Sequence, residues 1–153
     1  MVEKMKEKLL NKIKERKITA GIVGLGYVGL PLAVEKAKAG FRTIGFDVQG
    51  EKVNLVNQGK NYIGDIVDKD LELLVRSGML SATTDFSFVK DVDFIAICVP
   101  TPLDAHQQPD VSYVRKSAEE IAKYLTPETM VVLESTTYPG TTQELVQPIL
   151  EEG

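Results

Sequence analysis

Three glycines lie at a spacing that suits the binding of a diphosphate group. Residues 24–29 read GLGYVG, directly after the short apolar segment 18–23 and before a segment with helical periodicity. This is the G-x-G-x-x-G pattern of a dinucleotide-binding loop between a strand and a helix. In that pattern Gly24 permits a tight turn, Gly26 lets the backbone approach a pyrophosphate, and Gly29 lets the helix pack closely on the strand.

The residues between these glycines supply the predicted hydrogen-bond donors. The backbone N–H groups around Tyr27 and Val28 are expected to face the phosphates, at the positive end of the following helix. The alternative is an ordinary glycine-rich turn between a strand and a helix, with no ligand.

An acidic residue, Asp47, directly follows the next apolar segment, 42–46. Asp47 is placed to accept hydrogen bonds from the adenosine ribose hydroxyls and to repel a 2′-phosphate. Residues 48–50 (VQG) contain no arginine that could receive such a phosphate, so we expect NAD as the cofactor and not NADP. Lys52 is within reach of the same ribose. The alternatives are a surface aspartate that begins a turn and a solvated lysine.

Two hydroxyl-bearing segments, 99–102 (VPTP) and 134–142 (ESTTYPGTT), follow the last two apolar runs. Ligands of open α/β sheets bind beyond the carboxyl ends of the strands, so both segments are expected to line one crevice with the glycine loop. Thr101 stands between two prolines, which restrict its backbone and favour a fixed hydrogen-bonding group. The alternative is ordinary turn chemistry. The cofactor contacts predicted from these segments are Val99, Pro100, Thr101, Ser135 and Thr136.

Cys98 and His106 are of residue types that often take part in catalysis, but neither is assigned a role. Cys98 lies inside an apolar run with nothing nearby in sequence to lower its pKa, which favours a buried, inert thiol. His106 lies in a polar loop and is expected to be solvated. One cysteine and one histidine exclude an intramolecular disulfide and a cysteine-based metal site, and no metal is expected.

Strand-like and helix-like segments alternate along the chain, which predicts a parallel sheet covered on both faces. We expect an α/β, doubly wound, Rossmann-like fold with five strands, the sixth being truncated, and an N-terminal amphipathic helix over 1–17. Residues 18–153 form the predicted NAD-binding domain. The predicted strands are 18–23, 42–46, 82–84, 93–99 and 130–133. The other predicted helices are 27–39, 51–58, 68–76, 113–124 and 140 to 150.

Charge and hydropathy exclude several classes of protein. The 153-residue chain has a net charge of −4 and a pI near 5.1, which argues against a nucleic-acid-binding module. No apolar run reaches the roughly 18 residues of a transmembrane helix, and charges interrupt the N-terminus where a signal peptide would be apolar. We therefore expect a cytoplasmic domain with no membrane or nucleic-acid partner.

Five segments in this order resemble the UDP-glucose/GDP-mannose dehydrogenase family, above all its UDP-N-acetylglucosamine and UDP-N-acetylmannosamine 6-dehydrogenases. They are GIVGLGYVGLPLAVEKAKAGF, GFDVQGEKV, ATTDF, CVPTPLD and LESTTYPGTT. The resemblance implies oxidation of a sugar C6 alcohol to a carboxylate with reduction of two NAD⁺. It implies pyrophosphate contacts from Tyr27 and Val28, ribose contacts from Asp47 and Lys52, and a nicotinamide site bordered by Thr101 and Thr136. Thr101 and Glu134 would face the chemistry.

The family's catalytic cysteine, its dimer-forming helical domain and its UDP-sugar domain match no segment of this sequence. The resemblance thus implies a fragment of a longer, homodimeric or larger enzyme. We expect the chain to bind NAD(H) without turning over a nucleotide sugar, and a UDP-sugar partner only for the full-length enzyme. The alternatives are a stand-alone NAD(H)-sensing regulatory domain and the NAD domain of a β-hydroxyacid dehydrogenase.

Overall fold

The computed structural model describes residues 1–153 and contains one five-stranded sheet. Its strands are β1 (Thr19–Val23), β2 (Arg42–Phe46), β3 (Leu80–Thr83), β4 (Phe94–Ile97) and β5 (Met130–Leu133). Every neighbouring pair is parallel and the order is β3-β2-β1-β4-β5. The chain crosses from one half of the sheet to the other between β3 and β4, so strands β1 and β4 flank the topological switch point.

Helices cover both faces of the sheet, as predicted. The helices are α1 (Val2–Lys14), α2 (Gly29–Lys38), α3 (Gly50–Asn57), α4 (Asp68–Arg76), α5 (Ser112–Ala122) and α6 (Gln147–Glu152). A 3₁₀ helix spans Phe86–Asp91, and a π-helical segment spans Thr142–Val146 directly before α6.

Each face of the sheet has its own hydrophobic core because successive strand residues point to opposite sides. Ile22 and Ala96 pack with side chains of α2, α3 and α4. Val23, Ile95 and Ile97 pack on the other side with α5 and with the segment before α6. The doubly wound α/β fold with an N-terminal helix is therefore confirmed.

The boundaries differ from the prediction in a few places. β4 ends at Ile97, two residues earlier than predicted. The N–H of Cys98 still donates to the carbonyl of Val23 in β1 at 2.7 Å, and Cys98, Val99 and Pro100 line the cleft described below. β3 begins at Leu80, two residues earlier than predicted. The last helix is π-helical before it becomes α-helical. The N–H of Gln147 donates to the carbonyl of Thr142, five residues earlier, and Pro148 follows in the first turn of α6, where its missing N–H is tolerated.

Helix α1 lies against the amino-terminal ends of the strands and buries none of its residues. Lys12 Nζ donates to Asp93 Oδ1 at 2.8 Å, and the other oxygen of Asp93 accepts the N–H of Thr19 at 2.9 Å. Lys8 forms a more exposed ion pair with Glu128 at 2.6 Å. The helix is thus held at the end of the sheet opposite the carboxyl ends of the strands. None of the chain's helices has the length and apolar character needed to cross a membrane.

Candidate functional site

A cleft of about 620 Å³ opens at the carboxyl ends of the central strands. It is lined by the loop after β1, the end of β2, the residues after β4, Phe86 of the 3₁₀ helix and one face of α5. This position is the crevice at the switch point where doubly wound sheets bind ligands. Its volume is within the range of ordinary small-molecule sites.

The three glycines of the loop differ in how much space surrounds them. Gly24 has φ of +96°, and a Cβ there would lie 2.8 Å from the carbonyl oxygen of Cys98. A Cβ on Gly29 would lie 1.6 Å from the carbonyl oxygen of Gly24, so no side chain fits between helix and strand. A Cβ on Gly26 would meet nothing within 4 Å. The absence of a side chain at Gly26 therefore leaves space on the cleft side and relieves no internal contact.

Three consecutive backbone donors of the loop have no acceptor in the protein. The N–H groups of Gly26, Tyr27 and Val28 donate to no backbone or side-chain group, and all three residues line the cleft. Helix α2 begins at the next residue. Free N–H groups at the positive end of a helix are the arrangement that binds phosphate oxygens.

Asp47 links the end of β2 to the glycine loop. One oxygen accepts the N–H of Leu25 at 2.9 Å and the other accepts the N–H of Gln49 at 2.8 Å. The residue is only 8% exposed, yet it lines the cleft. A carboxylate oxygen can accept more than one hydrogen bond, so both oxygens keep capacity for ligand hydroxyls. Lys52 lines the same end of the cleft.

The segments after β4 and β5 are joined to each other, and only the first lines the cleft. Val99 and Pro100 belong to the cleft wall. The Thr101 hydroxyl donates to the carbonyl of Thr136, and the Ser135 hydroxyl donates to the carbonyl of Val99 at 2.7 Å. Thr101, Ser135, Thr136 and the exposed Glu134 lie next to the cleft but outside its lining. In this conformation the two hydroxyls hold the strand tips together.

Cys98 is buried, as its sequence context predicts, and it lines the base of the cleft. Burial, followed by the nearby charge of Glu134, raises the pKa of the Cys98 thiol to about 11. The thiol is therefore protonated at neutral pH and is a poor nucleophile. His106 is exposed in the loop after β4, where its backbone N–H donates to Asp104.

Sequence reasoning missed the wall of the cleft that α5 provides. Helix α5 turns one set of residues into the core and another toward the cleft, at spacings of three and four residues. The periodic polar face of this helix was the available signal. The cleft residues for which the sequence predicted no role in a site are Val23, Leu25, Phe46, Val48, Gln49, Phe86, Tyr113, Lys116, Ser117 and Glu120, together with the buried thiol of Cys98.

The doubly wound sheet, the glycine loop with free N–H groups and the acidic residue at the end of β2 define a dinucleotide-binding domain. Comparison with known proteins identifies the family to which this domain belongs. The chain belongs to the UDP-glucose/GDP-mannose dehydrogenase family, whose NAD binding domain matches residues 17–153. NAD is therefore the cofactor of this domain, and the family resemblance is confirmed.

Individual relatives agree with this assignment. The chain is 39% identical over 136 residues to a UDP-N-acetyl-D-glucosamine 6-dehydrogenase of Pseudomonas aeruginosa, covering 88% of this chain and 31% of that protein. It is 35% identical over 133 residues to a UDP-N-acetyl-D-mannosamine dehydrogenase of Campylobacter jejuni, covering 86% and 32%.

Solved structures agree with the fold as well. A GDP-mannose dehydrogenase from Pseudomonas aeruginosa matches with a TM-score of 0.83 at 36% identity, over 87% of this chain and 32% of that one. The chain thus spans about a third of the length of the relatives it matches.

Proposed function

We propose that this chain is the NAD-binding part of a nucleotide-sugar 6-dehydrogenase that oxidises the C6 alcohol of a UDP-N-acetylhexosamine to a carboxylate. The oxidation removes four electrons, which requires two NAD⁺ for each sugar. The observation that carries the proposal is the row of free N–H groups at Gly26, Tyr27 and Val28, three residues that line the same cleft as Asp47. The names of the relatives above support the class of sugar.

The residues of the cleft fit the two halves of NAD. The N–H groups of the glycine loop would hold the diphosphate, and Asp47 with Lys52 would hold the adenosine ribose. Gly24 and Gly29 would shape the loop. When bound there, NAD⁺ would supply the hydride acceptor for the oxidation.

The nicotinamide half would extend toward the tips of β4 and β5. The residues that would border it are Val99, Pro100, Thr101, Ser135 and Thr136. Thr101 and Glu134 would be the two side chains nearest the reacting sugar. The hydrogen bonds between these tips support this arrangement, since they join the segment after β5 to the segment after β4, which lines the cleft.

We also propose that the 153-residue chain binds NAD without oxidising a sugar. Its one thiol is protonated at neutral pH and is therefore a poor nucleophile. Residues 1–17 would be an appendage of the domain 18–153, and the complete enzyme would work as a dimer or larger assembly.

Calorimetric titration of the chain with NAD⁺ and NADP⁺ tests the cofactor assignment. We expect NAD⁺ to bind at least about tenfold more tightly, because Asp47 repels a 2′-phosphate. Absorbance of NADH after addition of UDP-N-acetylglucosamine tests the second part, with no increase above background expected. Equal affinity for the two cofactors contradicts the ribose assignment, and NADH formation contradicts the inactivity of the chain.

A further inference from the structure

The backbone of Leu25, between the first two glycines of the loop, is held on both sides. Its N–H donates to Asp47 at 2.9 Å, and its carbonyl accepts the Tyr62 hydroxyl at 2.6 Å. No other group donates to that carbonyl. Leu25 is fully buried, so the phenol of Tyr62 is the one donor to its carbonyl in the folded chain.

The hydrogen bond from Tyr62 fixes the direction of the next N–H group. The chain has no cis peptide bond, and in a planar trans peptide the carbonyl and the N–H point to opposite sides. The carbonyl of Leu25 and the N–H of Gly26 belong to one peptide plane. Because the carbonyl is held against Tyr62, the N–H of Gly26 is directed away from Tyr62. Gly26 lines the cleft and Tyr62 does not.

Tyr62 is itself held firmly, although it lies in the loop between α3 and α4. The Asn61 side chain donates to the carbonyl of Ile66 at 2.7 Å and accepts the N–H of Ile63 at 2.8 Å. Ile63 and Ile66 are both buried in the core beneath α2. The phenol therefore reaches the glycine loop from a fixed base.

We propose that Tyr62 is a positioning residue for the diphosphate site, which it orients through the Leu25–Gly26 peptide without touching the cofactor. This inference rests on the proposed use of the glycine loop to hold the diphosphate. A donor that is already oriented loses no freedom when the phosphate binds, so its hydrogen bond contributes fully to affinity. Without the phenol, the Leu25 carbonyl is left buried without a donor, and rotation of the peptide plane toward another donor turns the Gly26 N–H away from the phosphate.

The ionisation state of Tyr62 is consistent with this role. Burial, followed by the charge of Asp47, raises the pKa of the Tyr62 phenol to about 12. The phenol therefore remains a hydrogen-bond donor at neutral pH and well above it.

The test compares two ligands, ADP-ribose and adenosine, on three proteins: the wild-type chain, Tyr62→Phe and Tyr124→Phe. ADP-ribose contains the diphosphate and adenosine does not. Tyr124→Phe removes a phenol from an exposed site outside the cleft and is the control for loss of a phenol. Affinities are measured by calorimetry for ADP-ribose and by NMR titration for adenosine, and urea unfolding reports the stability of each variant.

We expect Tyr62→Phe to weaken ADP-ribose binding about tenfold and to leave adenosine binding and the control variant unchanged. Asn61→Ala, which loosens the base of Tyr62, is expected to shift ADP-ribose affinity in the same direction. An equal loss for both ligands would mean that Tyr62 merely stabilises the cleft, and no loss would mean that it does not orient the loop. Either result overturns the inference. If the wild-type chain binds neither ligand, the proposed function has failed, and the inference fails with it.

Discussion

Asp47 Oδ2 accepts the backbone N–H of Leu25 at 2.9 Å, and this contact joins the end of β2 to the loop that follows β1. The same carboxylate accepts the N–H of Gln49 through its other oxygen. Asp47 therefore has a structural role in shaping the loop before any ligand binds, in addition to the proposed contact with the ribose. A substitution at this position should reveal both roles, and a suitable pair of variants should separate them.

Asp47→Ala is expected to weaken NAD⁺ binding more than Asp47→Asn. Asparagine keeps one acceptor for a backbone N–H but loses the charge, while alanine loses both hydrogen bonds, each of which is worth about 1.5–3 kcal/mol when the acceptor is charged. Asp47→Asn should also reduce the preference for NAD⁺ over NADP⁺, because the repulsion of a 2′-phosphate is gone. Calorimetric titrations with both cofactors, together with urea unfolding, measure these effects.

Asp104 provides the matched control for Asp47. Its carboxylate also accepts two backbone N–H groups, from His106 and Gln108, but it lies outside the cleft. Asp104→Ala should leave affinity for both cofactors unchanged. An unchanged cofactor preference in Asp47→Asn would contradict the assignment of this carboxylate to the ribose.

Two glycine-to-alanine substitutions in the loop should have opposite consequences. Gly29→Ala would put Cβ 1.6 Å from the carbonyl oxygen of Gly24, and relief of that clash should cost about 3 kcal/mol or more of unfolding free energy. Gly26→Ala meets nothing within 4 Å, so its stability should stay within about 0.5 kcal/mol of wild type. Its methyl group would, however, occupy the space of the diphosphate and abolish measurable NAD⁺ binding. Urea unfolding measures the stability of both variants, and calorimetry measures their NAD⁺ binding. Normal NAD⁺ binding by Gly26→Ala would show that the diphosphate does not lie against this residue.

Cys98 should react slowly with alkylating reagents at neutral pH. Its pKa is raised to about 11, and each unit of increase lowers the thiolate fraction about tenfold. The folded chain should thus be labelled by iodoacetamide at about one hundredth of the rate of the chain in urea, and the rate should rise as pH approaches 11. The chain has one cysteine, so labelling detected by mass spectrometry reports this thiol alone. Equal rates in the folded and unfolded chains would contradict the burial of the thiol.

The raised pKa of Cys98 also makes stability depend on pH. The unfolded chain releases the thiol proton at lower pH than the folded chain, so the stabilising contribution is complete below the ordinary pKa of 9.0 and is lost as pH rises toward 11. Unfolding free energies of wild type and Cys98→Ala, measured across this interval, should converge as the pH increases. A constant difference would show that the thiol has the same pKa in both states.

The ion pairs of α1 should contribute little to stability and nothing to cofactor binding. The Lys12 ammonium donates to Asp93, and this hydrogen bond holds the pKa of Lys12 above its ordinary value. The ion pair therefore stabilises the fold at pH values below the ordinary pKa of lysine, and this stabilisation is lost as pH rises through the raised pKa of Lys12. Because the pair is partly exposed, Lys12→Ala should cost less than about 1 kcal/mol.

Asp93→Ala should cost more than Lys12→Ala, because it also removes the acceptor for the N–H of Thr19 at the start of β1. Thermal unfolding of both variants measures their stability, and NAD⁺ titration measures their cofactor affinity. A loss of NAD⁺ affinity in Lys12→Ala would contradict the separation of α1 from the cleft.

The sequence predicted the features of the fold that depend on local pattern. The glycine loop, the apolar strands and Asp47 at the end of β2 are encoded within short segments, so periodicity and spacing located them. The π-helical segment before α6 was missed because it is only five residues long, too short for its periodicity to be told from that of an α-helix. Tyr62 was also missed, since its partner Leu25 is 37 positions away in sequence and no local pattern joins them.

The separation of α1 from the cleft has a practical consequence for experiments on this chain. Met1 is 96% exposed and lies on the helix at the amino-terminal ends of the strands, whereas the cleft opens at the carboxyl ends. A biotin or a fluorophore coupled to the first residue would stand at the pole of the molecule opposite the opening. Protein tethered to a sensor chip in this way would present its entrance to the flowing solution.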